Sequence, residues 1–153
     1  MQTSDPIIRI SVPDQRLDLL SGDVLLASYP VSTSRFGLGS EHGSMKTPLG
    51  KFRIGEKIGA KAPSGTIFHS RVPVTPGDLP PPTDDLALTR ILWLDGLEEH
   101  NANTRDRFIY IHGTNHEDLI GQPASHGCIR MKSADLIALF DQVPLGVEVV
   151  IST

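Results

Sequence analysis

Cys128 is the only cysteine of the chain, and its neighbours are polar: Ala124-Ser125-His126-Gly127-Cys128-Ile129-Arg130-Met131. Just upstream runs Ile109-Tyr110-Ile111-His112-Gly113-Thr114-Asn115-His116, so one stretch gathers the cysteine, three of the six histidines and an arginine. A thiol with a pKa of about 8.5 is mostly protonated at neutral pH, and a cysteine that does chemistry needs a base or cation beside it. Either His112 or His126 could be that base, which would equip the segment for nucleophilic attack on an acyl carbon. Gly127 removes a Cβ where backbone would approach a substrate, and amides at this turn could face the oxygen of a tetrahedral intermediate. In an extended segment Arg130 shares Cys128's side, where its planar fork suits a substrate carboxylate.

The bland readings compete with these. A lone cysteine is most often inert core filler, but a core thiol gains nothing from polar neighbours on a glycine loop. Zinc is the stronger competitor, because His112, His116, His126 and Cys128 could supply its nitrogen and sulfur ligands. That requires Gly113 and Thr114 to be helical, whereas Phe108 to Ile111 reads as strand, so no metal and no cofactor is expected. His42, His69 and His100 read as surface histidines, Trp93 with Leu92 and Leu94 as core, and Asp84-Asp85 and Glu98-Glu99 as solvated loop.

The elements that must position this cluster are mostly strands. Ile7 to Val12, Arg16 to Leu20 and Val24 to Val31 are β-rich runs broken by Pro13-Asp14-Gln15 and Ser21-Gly22-Asp23, which predicts consecutive antiparallel strands. A loop from Ser32 leads through Thr47-Pro48-Leu49-Gly50 into a strand over Lys51 to Ile58. Proline recurs from Gly59 to Thr89, including Pro80-Pro81-Pro82, which predicts a long irregular loop of the kind that covers active sites. Strand signals resume at Ile91 to Leu94, Arg107 to Ile111 and Val147 to Ile151. One helix is predicted over Ser133 to Val143, capped by Ser133, with Leu136, Leu139, Phe140 and Val143 on one stripe and Pro144 as its stop. The fold class expected is mainly β, with one to three short helices.

At 153 residues the chain has the size of one domain, residues 1–153, and 39% hydrophobic residues suffice for a core. Its net charge of -4 argues against nucleic acid, whose backbone is bound by clustered Lys and Arg. One cysteine excludes an intrachain disulfide. No stretch approaches the roughly 18 apolar residues of a membrane span, and Met1 to Pro6 carries no secretion signal. A soluble, cytoplasmic protein is expected, or a periplasmic one if an export signal was trimmed.

The block Ser125-His126-Gly127-Cys128-Ile129-Arg130-Met131, with His112-Gly113-Thr114 fourteen positions before His126, resembles the signature of the L,D-transpeptidase (YkuD-type) catalytic domain. Pro30-Val31-Ser32-Thr33-Ser34 and Thr47-Pro48-Leu49-Gly50-Lys51-Phe52-Arg53-Ile54 are similar to the family's upstream segments. The resemblance implies a sandwich-like β domain acting on peptidoglycan stem peptides or muropeptides. It makes Cys128 the nucleophile and His112 the base, oriented by the Gly113 carbonyl. His126, Gly127 and the Cys128 amide would surround the oxyanion, and Ser125 would support the turn. Arg130 would contact substrate, with Tyr110 and Thr114 behind it. The bond attacked would join the L-centre of the third residue, a diamino acid, to D-alanine, leaving a thioester on Cys128. Release by water would make an L,D-carboxypeptidase of wall recycling; release by an amine would make a cross-linking transpeptidase. A carbapenem is expected to acylate Cys128. A non-catalytic peptide-binding domain is the reading from another class.

Overall fold

The computed structural model describes residues 5–80 and 86–153. Strands β1 (Pro6–Ser11), β2 (Arg16–Ser21) and β3 (Val24–Pro30) form the expected antiparallel meander. Alternation makes it amphipathic: Ile8 faces Leu19 and Ile10 faces Leu17 across the ladder, and all four are fully buried. β4 (Gly50–Ile58) follows the loop, and β7 (Ala87–Gly96) pairs with it antiparallel. β8 (Tyr110–Gly113) adds to β7 antiparallel, and β9 (Ile129–Met131) adds to β8 in parallel. β10 (Glu148–Ser152) lies between β1, to which it is parallel, and β4, to which it is antiparallel.

These strands belong to one ten-stranded sheet that branches at β7, and the β8–β9 branch meets the chain leaving β3. Ser32, just beyond β3, exchanges backbone hydrogen bonds with Arg130 of β9 (3.0 and 2.9 Å). The sheet therefore curls around a shared core in which Ile8, Leu17 and Ile151 join Phe52, Leu94, Ile111, Ile129 and Met131. This closure gives the mainly β architecture that the β-rich runs predict.

Helix α1 (Ser133–Gln142) buries Leu136, Leu139 and Phe140 as predicted, but Ser133 is not its cap. Lys132 occupies that position, and the Ser133 amide donates instead to the Glu117 carboxylate at 2.7 Å. The Ser133 hydroxyl is engaged by Thr89 Oγ1 at 2.7 Å, so a distant acid does what the local hydroxyl was expected to do. At the other end Lys57 Nζ donates to the carbonyls of Phe140 and Val143, which a helix leaves unsatisfied.

The proline-rich stretch is more ordered than predicted. It contains a hairpin of β5 (Ile67–His69) and β6 (Val72–Pro73), a 3-10 turn at Pro76–Asp78 and the start of β7. Ser70 and Arg71 both have positive φ (48° and 69°), the backbone that a two-residue type I′ hairpin turn demands. Proline is compatible here because Pro73 lies in the terminal strand of this arm of the sheet, where an N–H is dispensable. Pro81, Pro82, Asp84 and Asp85 lie outside the described residues. The strand predicted from Arg107 begins only at Tyr110, after a turn in which Phe108 has φ 57°.

Candidate active site

Period-two alternation divides β7, β8 and β9 into two faces. Leu92, Leu94, Ile111, Ile129 and Met131 point into the core. On the opposite face Trp93 pairs with Tyr110, Ile91 with His112, and His112 with Arg130. Continuing the parallel register one step back sets Cys128 beside Tyr110, and the Tyr110 amide does donate to Cys128 Sγ at 3.3 Å. The thiol in turn donates to the Phe108 carbonyl at 3.3 Å, so the half-buried sulfur is held at the mouth of β8 and β9. Tyr110 and His112, two residues apart on one strand, share its side.

The turn carrying Cys128 is fixed from three directions. Ser125 Oγ donates to the Cys128 carbonyl at 2.6 Å and accepts from the Gly127 amide at 3.2 Å. Fully buried Thr47 donates through Oγ1 to the Gly127 carbonyl at 3.0 Å while accepting from the Ser34 amide at 2.9 Å. Backbone bonds from Ala124 and Ser125 to the Thr33 carbonyl tie the same turn to the loop after β3. Gly127 has φ 122°, a conformation in which an L side chain is strained, and this backbone turns Cys128 toward the strand mouth.

His112 is 4% exposed, and its Nδ1 lies 2.5 Å from the Gly113 carbonyl. A carbonyl only accepts, so Nδ1 carries the proton and Nε2 is the basic nitrogen. Glycine is required at 113 on steric grounds: a Cβ there would sit 2.5 Å from the Leu88 carbonyl. Thr114 is buried and accepts from the His116 amide through Oγ1 at 3.0 Å, shaping the turn after β8. No group of three or more His, Cys, Asp or Glu side chains among the described residues is arranged to hold a metal ion.

The rim is built by segments distant in sequence. Arg71, at the tip of the β5–β6 hairpin, donates to the Tyr110 hydroxyl at 3.0 Å and stacks over Trp93 and Phe108, 4.7 and 5.2 Å from the ring centres. Burial raises the Tyr110 hydroxyl above its ordinary pKa, and the hydrogen bond from Arg71 opposes the rise. On the other side a groove of about 280 Å³ is lined by His42, Met45, Asp106, Arg107, Phe108 and His126. Arg107 binds the loop opposite through the carbonyls of Gly39 (3.3 Å) and Lys46 (2.7 Å). Burial lowers its pKa, and Glu41, followed by Cys128, acts in the opposite sense.

His112, Gly113, Tyr110, Ser125, Gly127, Cys128 and Arg130 thus converge on the β8–β9 mouth. His126 is exposed and lies against Phe36, with ring centres 5.9 Å apart, on the groove wall. Arg130 shares the site face but is 3% exposed, so the cation presented at the rim is Arg71. Arg71 carries no signal in the sequence, since it sits in a stretch read as irregular. Thr47 was seen only as part of a resembling motif, and its bond to the turn is its physical content.

Residues 5–151 match the family described as the L,D-transpeptidase catalytic domain, YkuD. The chain belongs to that family. A putative L,D-transpeptidase, YkuD, of Bacillus subtilis is 50% identical over 145 residues, covering 95% of this chain and 65% of that protein. The chain therefore spans about two thirds of that relative's length. Among solved structures, an L,D-transpeptidase from Mycobacterium smegmatis aligns with TM-score 0.67 and 15% identity over 98% of this chain and 59% of its own. L,D-transpeptidase 3 from Mycobacterium tuberculosis, in complex with a faropenem-derived adduct, aligns with TM-score 0.61 and 15% identity over 97% of this chain and 60% of its own. At these identities the likeness is one of fold.

Proposed function

We propose that this domain catalyses cysteine-dependent acyl transfer on peptidoglycan stem tetrapeptides, with water as the usual acceptor. The observation carrying this reading is a thiol at an accessible strand mouth, on the same face as a histidine whose tautomer leaves Nε2 basic. His112 Nε2 takes the proton from Cys128, and the thiolate attacks the carbonyl of the third residue. The peptide nitrogen of D-alanine leaves with the imidazolium proton, and the peptide remains as a thioester on sulfur. Water, deprotonated by the same imidazole, then releases a tripeptide and restores the thiol. Amides of the Gly127–Cys128 turn would serve the oxyanion.

Water is favoured over a second peptide because Arg71, hydrogen-bonded to the Tyr110 hydroxyl and stacked on Phe108, narrows the rim on that side for a bulky amine. Cross-linking to an amine is the second reading, favoured by the designation of the relatives as L,D-transpeptidases. Incubation with a disaccharide tetrapeptide, followed by mass spectrometry, is expected to give tripeptide and D-alanine. Predominant dimer would replace water by the amine as acceptor. In the same reading a carbapenem acylates wild-type protein and not Cys128→Ala, and an intact mass without adduct would count against a reactive thiolate.

A further inference from the structure

We propose that Arg71 receives a free carboxylate of the donor peptide and so selects donors that carry one beside the scissile bond. This inference rests on the reading of the site as a stem-peptide acyltransferase and names a residue that reads its substrate. Three observations converge on it.

First, among the described residues Arg71 has no carboxylate in ion-pair reach, although its rim neighbour Arg105 is paired with both Glu56 (2.7 Å) and Asp95 (3.1 Å). Both guanidinium groups lie against Trp93, at 4.2 and 4.7 Å from the ring centre, yet among the described residues only Arg105 is paired with a carboxylate. Second, stacking on Trp93 and Phe108 engages the faces of the Arg71 guanidinium, and Tyr110 accepts from Nη1. The in-plane edge keeps further N–H donors in the fork geometry that matches a carboxylate. Third, Tyr110 spans the interval between cation and nucleophile, with its hydroxyl at Arg71 and its amide at Cys128 Sγ. A carboxylate bound by Arg71 therefore lies about one tyrosine length from the attacked carbonyl. The distal carboxylate of a diaminodicarboxylic acid at position three has that reach, because its side chain separates the two groups by several bonds. The α-carboxylate of the departing D-alanine is the same chemistry at shorter range.

The hairpin geometry supports a role in recognition. Ser70 and Arg71 hold positive φ without being glycine, a backbone cost tolerated here at the one turn that aims a guanidinium at the rim.

The test compares kcat and KM of the intact chain on three tetrapeptide donors: both carboxylates free, the distal carboxylate amidated, and the terminal D-alanine amidated. Wild type is expected to prefer the free distal carboxylate by roughly 10- to 100-fold in kcat/KM, the scale of one charged hydrogen-bonded contact. Arg71→Gln is expected to abolish that preference mainly through KM, and Arg71→Lys to keep part of it. Tyr110→Phe, which removes the hydroxyl partner without removing the cation, is expected to retain the preference. A preference lost instead for the terminal carboxylate would support the same chemistry and place it on the leaving residue. Equal losses on all three donors in Arg71→Gln, or a wild type indifferent to amidation, would overturn the inference alone. A wild type that releases no product from any donor would overturn the stem-peptide reading and the inference with it.

Discussion

Tyr110 links Arg71 to Cys128 through both of its ends, and its ionisation has a consequence for stability. Burial favours the neutral phenol, so the folded-state pKa lies above the unfolded value of about 10. The unfolded chain loses this proton first. The contribution is therefore fully present below about pH 10 and is lost as pH rises through the folded value. Tyr110→Phe should flatten the alkaline decline in denaturation midpoint relative to wild type, and an unchanged decline would remove Tyr110 as its cause. At this scale the sequence was partly readable: residue type singled out Cys128, Gly127 and a choice between His112 and His126, while the resemblance added Ser125 and preferred His112. Arg71 did not, because its role depends on a hairpin turn built from Ser-Arg where glycine or asparagine is the usual signal.

Among the elements, α1 illustrates a cap that local sequence cannot reveal. Its stripe and its proline stop are written at helical spacing, and the structure follows them. The amide partner comes from Glu117, sixteen residues earlier, in the 3-10 turn that follows the His112 strand. Glu117 thereby fastens the chain leaving β8 to the helix following β9. Glu117→Gln weakens a charged acceptor at a helix N-terminus, and a loss of about 1 kcal/mol in chemical denaturation with an unchanged m-value is expected. No loss would mean that the carboxylate is dispensable there.

Across the whole molecule, closure of the sheet depends on a buried side chain that looked like an ordinary turn residue. Gln15 is 4% exposed with φ 47°, and its amide bonds the Val12 carbonyl and Thr33 Oγ1 while accepting from the Thr33 amide. Thr33 in turn receives the amides of Ala124 and Ser125, so this glutamine lies under the Cys128 turn from more than one hundred residues away. Gln15→Ala strands the Thr33 amide and is expected to cost roughly 2 to 4 kcal/mol, with slower thioester formation. A fully stable variant with wild-type acylation kinetics would show that the clamp is ornamental. The meander was legible because its hydrophobic alternation is local, whereas the clamp links β1–β2 to the loop carrying Cys128 and leaves no periodic trace.

The position of β10 carries a consequence for how such a molecule comes into being. Its backbone bridges β1 and β4 in the strand order, so the last of the ten strands to leave a ribosome is the keystone of the arch. Until Glu148–Ser152 emerges, β1 and β4 each lack the neighbour that joins them, so the frame around the Cys128 turn is complete only when that last strand arrives.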